Sequence, residues 1–192
     1  KLKKFGFKIF NGDQSNPNFW KNFYKKVGKI DVLINNAGIG RGYGNLVDAL
    51  FEDIERTIDT NVKAAIYAAK AVLPGMVERQ NGHVINIGSM AGLYPLASSL
   101  YGATKGAMHV LSMDLRLELQ GTGVRVTEIC PGRVSTEFYD AALDDPEIIK
   151  SKKNSGIEEV TSEDISQAVM YALNASQHVN INRIELQPTE QT

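Results

Sequence analysis

Ile30-Asp31-Val32-Leu33-Ile34-Asn35-Asn36-Ala37-Gly38 is the stretch that decides the fold. A short apolar run stops abruptly in a loop of small residues, as a buried strand does when it runs into a turn. His83-Val84-Ile85-Asn86-Ile87-Gly88-Ser89 repeats the pattern, and Val124-Arg125-Val126-Thr127-Glu128-Ile129-Cys130-Pro131-Gly132 does so a third time. Between these runs lie longer amphipathic stretches. They predict helices over residues 47–78, broken near Thr60 and Pro74, and over residues 99–119. Strand, helix, strand, helix, strand requires parallel pairing with right-handed crossovers, hence an α/β protein with a doubly wound parallel sheet. In such sheets ligands bind beyond the carboxyl ends of the strands, where all three loops fall. Downstream, the polar and charged segment 140–159 reads as a mobile flap or lid. Thr161-Ser162-Glu163-Asp164 reads as the cap of a helix running through Leu173, and residues 180–186 read as a last strand.

A length of 192 residues with 43% hydrophobic and 22% charged residues suits one domain with a sizeable core. The net charge of -1 gives no reason to expect a nucleic acid or an anionic membrane as partner and leaves small molecules as the ligand class. A single cysteine, Cys130, excludes an internal disulfide and has no metal-ligand spacing to His83, His109 or His178. No metal site is expected, and a reducing, cytoplasmic setting is. No signal-peptide or membrane-spanning pattern is visible. Lys1-Leu2-Lys3-Lys4-Phe5 reads as the interior of a domain.

The chemistry centres on Tyr101-Gly102-Ala103-Thr104-Lys105, twelve residues after Ser89. A four-residue spacing on a helix puts phenol and ammonium on one face. At about 5 Å and an effective dielectric near 20, the cation stabilises a phenolate by roughly 3 kcal/mol, about two pKa units. That pair reads as an acid/base device. His83 reads as a turn residue before its strand and Cys130 as buried filler. Ala107, Val110, Leu111, Leu115 and Leu119 read as the core-facing stripe of the Tyr101 helix.

Asn35-Asn36-Ala37-Gly38, Asn61, Ser89, Tyr101-x-x-x-Lys105 and Pro131-Gly132 occur in the order and approximate spacing of the short-chain dehydrogenase/reductase family, which the chain resembles from about residue 28 onward. The stretch 72–89 and His178-Val179-Asn180-Ile181-Asn182 are similar to NADP-dependent 3-hydroxy acid (serine/3-hydroxypropionate) dehydrogenases. The resemblance implies a Rossmann-like sheet, NADP or NAD as cofactor with NADP preferred, and a homodimer or homotetramer. It implies hydride transfer between cofactor and a small hydroxy acid or an alcohol/carbonyl substrate. Tyr101 would be the general acid/base. Lys105 would lower its pKa and hold the nicotinamide ribose, and Ser89 would bind the substrate oxygen. Asn61 would place a water in a proton relay. Asn35, Ala37 and Gly38 would pack against the adenosine side. Pro131, Gly132, Val134 and Thr136 would line the nicotinamide end. Thr136 reads equally as a helix cap. Arg133 is a candidate partner for a substrate carboxylate, and Met90, Tyr94, Phe138 and Tyr139 are candidate pocket walls.

The family also implies an amino-terminal strand followed by a glycine-rich loop, and the first βαβ unit is expected to be missing from this chain. Ile9-Phe10-Asn11-Gly12-Asp13-Gln14-Ser15-Asn16-Pro17-Asn18-Phe19-Trp20 resembles a segment of S-adenosylmethionine-dependent methyltransferases. Asp13 would serve a cofactor adenine in either family, and reads equally as an Asx-turn residue. A methyltransferase and a non-catalytic fragment or fused domain therefore stand beside the dehydrogenase reading.

Overall fold

The computed structural model describes residues 6–154 and 156–191, so the reading of residues 1–5 as domain interior lies outside the described residues. Four parallel strands make one sheet in chain order: β1 (Val32–Asn35), β2 (Gly82–Ile87), β3 (Val124–Pro131) and β4 (Arg183–Leu186). Asn35 lies opposite Asn86, Asn86 opposite Glu128 and Glu128 opposite Arg183. Each crossover carries a helix: α3 (Ala64–Glu78), α4 (Ser99–Glu118) and α7 (Ser162–Asn174). Among the described residues the strand order never reverses, but the helices cover both faces.

Alternation along the strands explains the two layers. Val84, Val124 and Val126 point to one face, where they pack with Val72 and Met76 of α3 and Leu115 of α4, with Leu119 just beyond that helix. Ile85 and Ile129 point to the other, against Ile165, Val169 and Leu173 of α7. His83 is not a turn residue. It is the second residue of β2, 3% exposed, with Nε2 2.8 Å from the Thr127 hydroxyl. Cys130 is buried, as read. Val110 leaves the core-facing stripe and is 49% exposed, because the buried face of α4 runs through Thr104, Lys105, Met108, Ser112 and Leu115.

Ahead of β1, α1 (Pro17–Val27) starts with the Asn16 side chain accepting from the Asn18 amide and Pro17 in the first turn. The stretch 47–78 is interrupted as expected near Thr60, by a π turn at Asp59–Lys63 between α2 (Phe51–Ile58) and α3. It is not interrupted at Pro74, which sits inside α3. A helix-interior proline costs about 3 kcal/mol. Val72 and Met76, 1% and 0% exposed on either side of it, each return about 2 kcal/mol on burial and hold the helix to the sheet.

The segment read as a flap folds into α5 (Phe138–Ala142) and α6 (Pro146–Lys153). Lys153 pairs with Asp140 across the two helices, and Arg41 makes a two-pronged ion pair to Asp144 at 2.8 and 2.9 Å. These contacts dock the segment on the loop that follows β1. Among the described residues no helix is long and apolar enough to cross a membrane, and no cluster of candidate metal ligands occurs.

Candidate active site

Three strand ends and two helices bring Asn61, Ser89, Tyr101 and Lys105 together. Ser89 leaves β2 and caps a short 3-10 turn, Met90–Gly92, its hydroxyl accepting from the Ala91 amide at 3.1 Å. The turn lies flat against α4. A Cβ on Gly92 would stand 2.5 Å from the Lys105 carbonyl oxygen, so only glycine lets Ser89 approach that helix so closely. The Ser89 hydroxyl lies 3.5 Å from the Pro131 carbonyl, and it favours ionisation of the Tyr101 phenol.

Lys105 is 7% exposed, donates to the Ile87 carbonyl at 2.9 Å, and places Nζ 5.8 Å from the centroid of the Tyr101 ring. Burial lowers its pKa to about 8. The expected lowering of the Tyr101 phenol is reversed in this structure: burial pushes it up to about 12, against the pull of the Ser89 hydroxyl. The cause is an aromatic cover over the phenol, to which Tyr43 adds a ring that the sequence did not announce. The Phe138 ring lies 5.2 Å from that of Tyr101, and Tyr43 lies 5.9 Å away. Tyr139 packs on Tyr43 and Phe138 at 6.0 and 5.5 Å. Tyr43 is itself pushed up to about 12 by burial. Phe138 and Tyr139 thus stand at the site as expected of pocket walls, while Tyr94 is exposed with its hydroxyl 3.4 Å from Glu185.

Asn61 sits in the π turn, the rare helical widening that recurs at functional sites. It is 2% exposed, and its amide pairs with both backbone groups of Ile39 at 2.8 Å and donates to Thr104 at 3.0 Å. Its side chain therefore ties the loop after β1 to α4. Ala37 and Gly38 are exposed in that loop. Asn35 faces away from it and donates to Asn86 at 2.8 Å, locking β1 to β2.

Other expected residues are engaged elsewhere. Asp13 accepts from both the amide and the hydroxyl of Ser15, at 2.8 and 2.7 Å, the geometry of an Asx turn; it borders an open cleft with Asp59 and Thr60. The Thr136 hydroxyl accepts from the Phe138 amide two residues on, a turn contact just ahead of α5, whose cap position is Glu137. Arg133 pairs with Glu159 at 3.0 Å and donates to the Lys152 carbonyl, so it holds the docked segment rather than facing Tyr101 with a free fork. Gly132 donates to the Leu186 carbonyl at 2.8 Å, and Val134 bridges to Val160.

Comparison with known proteins bears directly on this arrangement. Residues 2–147 match the short chain dehydrogenase family, so the stretch that resembled a methyltransferase falls inside the same family match. An NADP-dependent 3-hydroxy acid dehydrogenase of Salmonella typhi is 48% identical over 167 residues, and that of Escherichia coli K12 is 47% identical. The chain spans 66% of the length of these curated relatives, and 85% of the chain is aligned. The structure of a serine dehydrogenase in its closed form, complexed with NADP+, superposes with a TM-score of 0.89 at 41% identity, over 94% of this chain and 75% of that one. The serine dehydrogenase of Escherichia coli superposes at 0.81 with 39% identity, over 96% and 77%. The chain belongs to the short chain dehydrogenase family.

Proposed function

We propose that the chain is an oxidoreductase that moves a hydride between NADP, or NAD in its place, and the carbinol carbon of a small hydroxy acid or related alcohol. The observation that carries this reading is the convergence of Ser89, Tyr101 and Lys105 at one sheet end, with Lys105 Nζ 5.8 Å from the Tyr101 ring and anchored on the Ile87 carbonyl. The relatives' names supply the cofactor preference and the substrate class. The residues present fit a nicotinamide ribose. Lys105 uses one of its three donors on Ile87, and a Cβ on Gly38 would fill the space 3.6 Å from Lys105 Nζ and from Asn61 Oδ1.

When bound, the cofactor gives or takes the hydride. Tyr101 protonates the carbonyl oxygen during reduction and takes the proton back during oxidation. Ser89 donates to the oxygen on which charge develops. A phenol near 12 is well placed as an acid; for the oxidative direction, a cation near the ring, such as Lys105, would favour its ionised form. Asn61 acts through position, holding the loop after β1 at the distance Lys105 requires. The same reading places the protein in the cytoplasm as a homodimer or homotetramer.

Tyr101→Phe tests it. Turnover with NADP and a 3-hydroxy acid is expected to fall by about 10³-fold or more while the circular dichroism and NADPH fluorescence enhancement persist. Retained turnover would remove Tyr101 from the chemistry.

A further inference from the structure

Beneath the site lies a carboxylate that the reaction does not use. Glu128 on β3 is 0% exposed. One oxygen, Oε2, accepts from His109 Nδ1 on α4 at 2.7 Å, and the other, Oε1, has no hydrogen-bond partner. Isolated buried charge is among the costliest things a fold can hold. Lys105 has the complementary deficit: an ammonium 7% exposed whose hydrogen bond goes to a neutral carbonyl, that of Ile87. The Ile87–Gly88 peptide stands between them, and on α4 Lys105 lies one turn before His109, the residue paired with Glu128. The residue bonded to that carbonyl is Gly88, and a Cβ placed there would stand 2.5 Å from Glu128 Oε1. A side chain at position 88 would expel the carboxylate, so the glycine keeps the negative charge next to the strand end that anchors Lys105.

We propose that Glu128 is the buried counterion of Lys105, a positioning residue held in place by His109. The other groups around the pair do not replace it. On α4 the flanking titratable groups are Tyr101 and Arg116, the latter donating to the Asn182 carbonyl at 3.1 Å. On β3 the neighbour is Cys130, whose thiol burial and Glu128 push up and keep neutral. On β4 Arg183 is paired with Glu185 at 2.7 Å. The charge of Glu128 opposes the burial that lowers Lys105 and so keeps the site's cation protonated near neutral pH.

The test reads Lys105 directly, by carbon NMR of protein labelled at the lysine ε-carbon, with Lys105→Arg identifying the resonance. The wild-type midpoint is expected near 8. Glu128→Gln is expected to lower it by about one pKa unit or more, whereas His109→Gln, which keeps the carboxyl group at position 128, is expected not to lower it. An unmoved midpoint in folded Glu128→Gln overturns the proposal. If that variant does not fold, Glu128→Asp takes its place: it withdraws the charge by one methylene, and a midpoint that fails to fall overturns the proposal equally. The measurement needs neither cofactor nor turnover, so it stands apart from the dehydrogenase reading, whose own failure would show in Tyr101→Phe.

Discussion

His83 shows how a single side chain turns acidity into instability. Thr127 spends its proton on the Ile181 carbonyl at 2.7 Å, so His83 Nε2 must carry the hydrogen that joins it to Thr127, and Nδ1 is left as a bare lone pair with no partner. Protonating Nδ1 would bury an unmatched N–H beside the Arg125 guanidinium, and burial first, then that charge, lowers the imidazole to about 4. A folded value below the ordinary 6.5 means that the unfolded chain binds more protons between those two pH values. Stability is therefore full above about 6.5 and falls as pH drops toward 4, by about 3 kcal/mol in all. Urea unfolding of wild type and His83→Asn at both pH values checks this. The wild type is expected to lose more stability than the variant, and equal losses would sink the idea. The identity of His83 was legible in the sequence, but its burial was not, because the acceptor that makes burial tolerable comes from β3, 44 residues away. Tyr101 and Lys105 were legible from spacing. The sign of the Tyr101 shift was not, since it depends on Phe138 and Tyr43 arriving from two other segments.

At the level of elements, strands and caps were readable wherever local chemistry dictates them. β-branched runs ending in Gly, Asn or Pro gave β1, β2 and β3, and Thr161 with Asp164 gave the start of α7. That start is a complete capping box: the Asp164 amide donates to the Thr161 hydroxyl at 3.2 Å, and the Thr161 amide donates to the Asp164 carboxylate at 2.8 Å. Hydrogen bonding to Thr161 holds the Asp164 carboxyl below the usual carboxylate range. Thr161→Ala is expected to cost about 1 kcal/mol. Because the two residues act as one unit, Asp164→Ala added to it is expected to cost less than its separate effect. A double-mutant cycle by denaturant unfolding measures this, and strict additivity would refute the box. The π turn at Asp59–Lys63 and the unbroken helix at Pro74 were not readable as they stand. No residue type encodes a widened turn. Asn61 turns inward there because Ile39 and Thr104 supply partners that only the folded chain provides, and α3 runs through Pro74 because Val72 and Met76 are buried beneath it.

For the whole molecule, the face of α4 turned away from the sheet poses the remaining physical problem. Val110, Met113 and Leu117, spaced three and four residues apart, are 49%, 41% and 72% exposed. Ile58 and Ile66, each 43% exposed, lie on the neighbouring helices α2 and α3. Single exposed apolar residues are ordinary, but a helical stripe of them is an association surface waiting for cover. With a net charge of -1 there is little long-range repulsion to oppose two copies meeting. Because α4 also carries Tyr101 and Lys105 on its inner face, covering its outer face would stiffen the helix that positions the site. Leu117→Glu places a charge at the most exposed position of the stripe, near the end of α4, without touching the buried side of the helix, where Leu115 packs on the sheet. The variant is expected to shift the protein toward monomer in light scattering at micromolar concentration while leaving its circular dichroism unchanged. A mass identical to that of wild type would rule this stripe out as an interface between copies. Burying a charge opposite its symmetry copy costs several kcal/mol, enough to dissociate an interface of modest size, so the two outcomes are well separated.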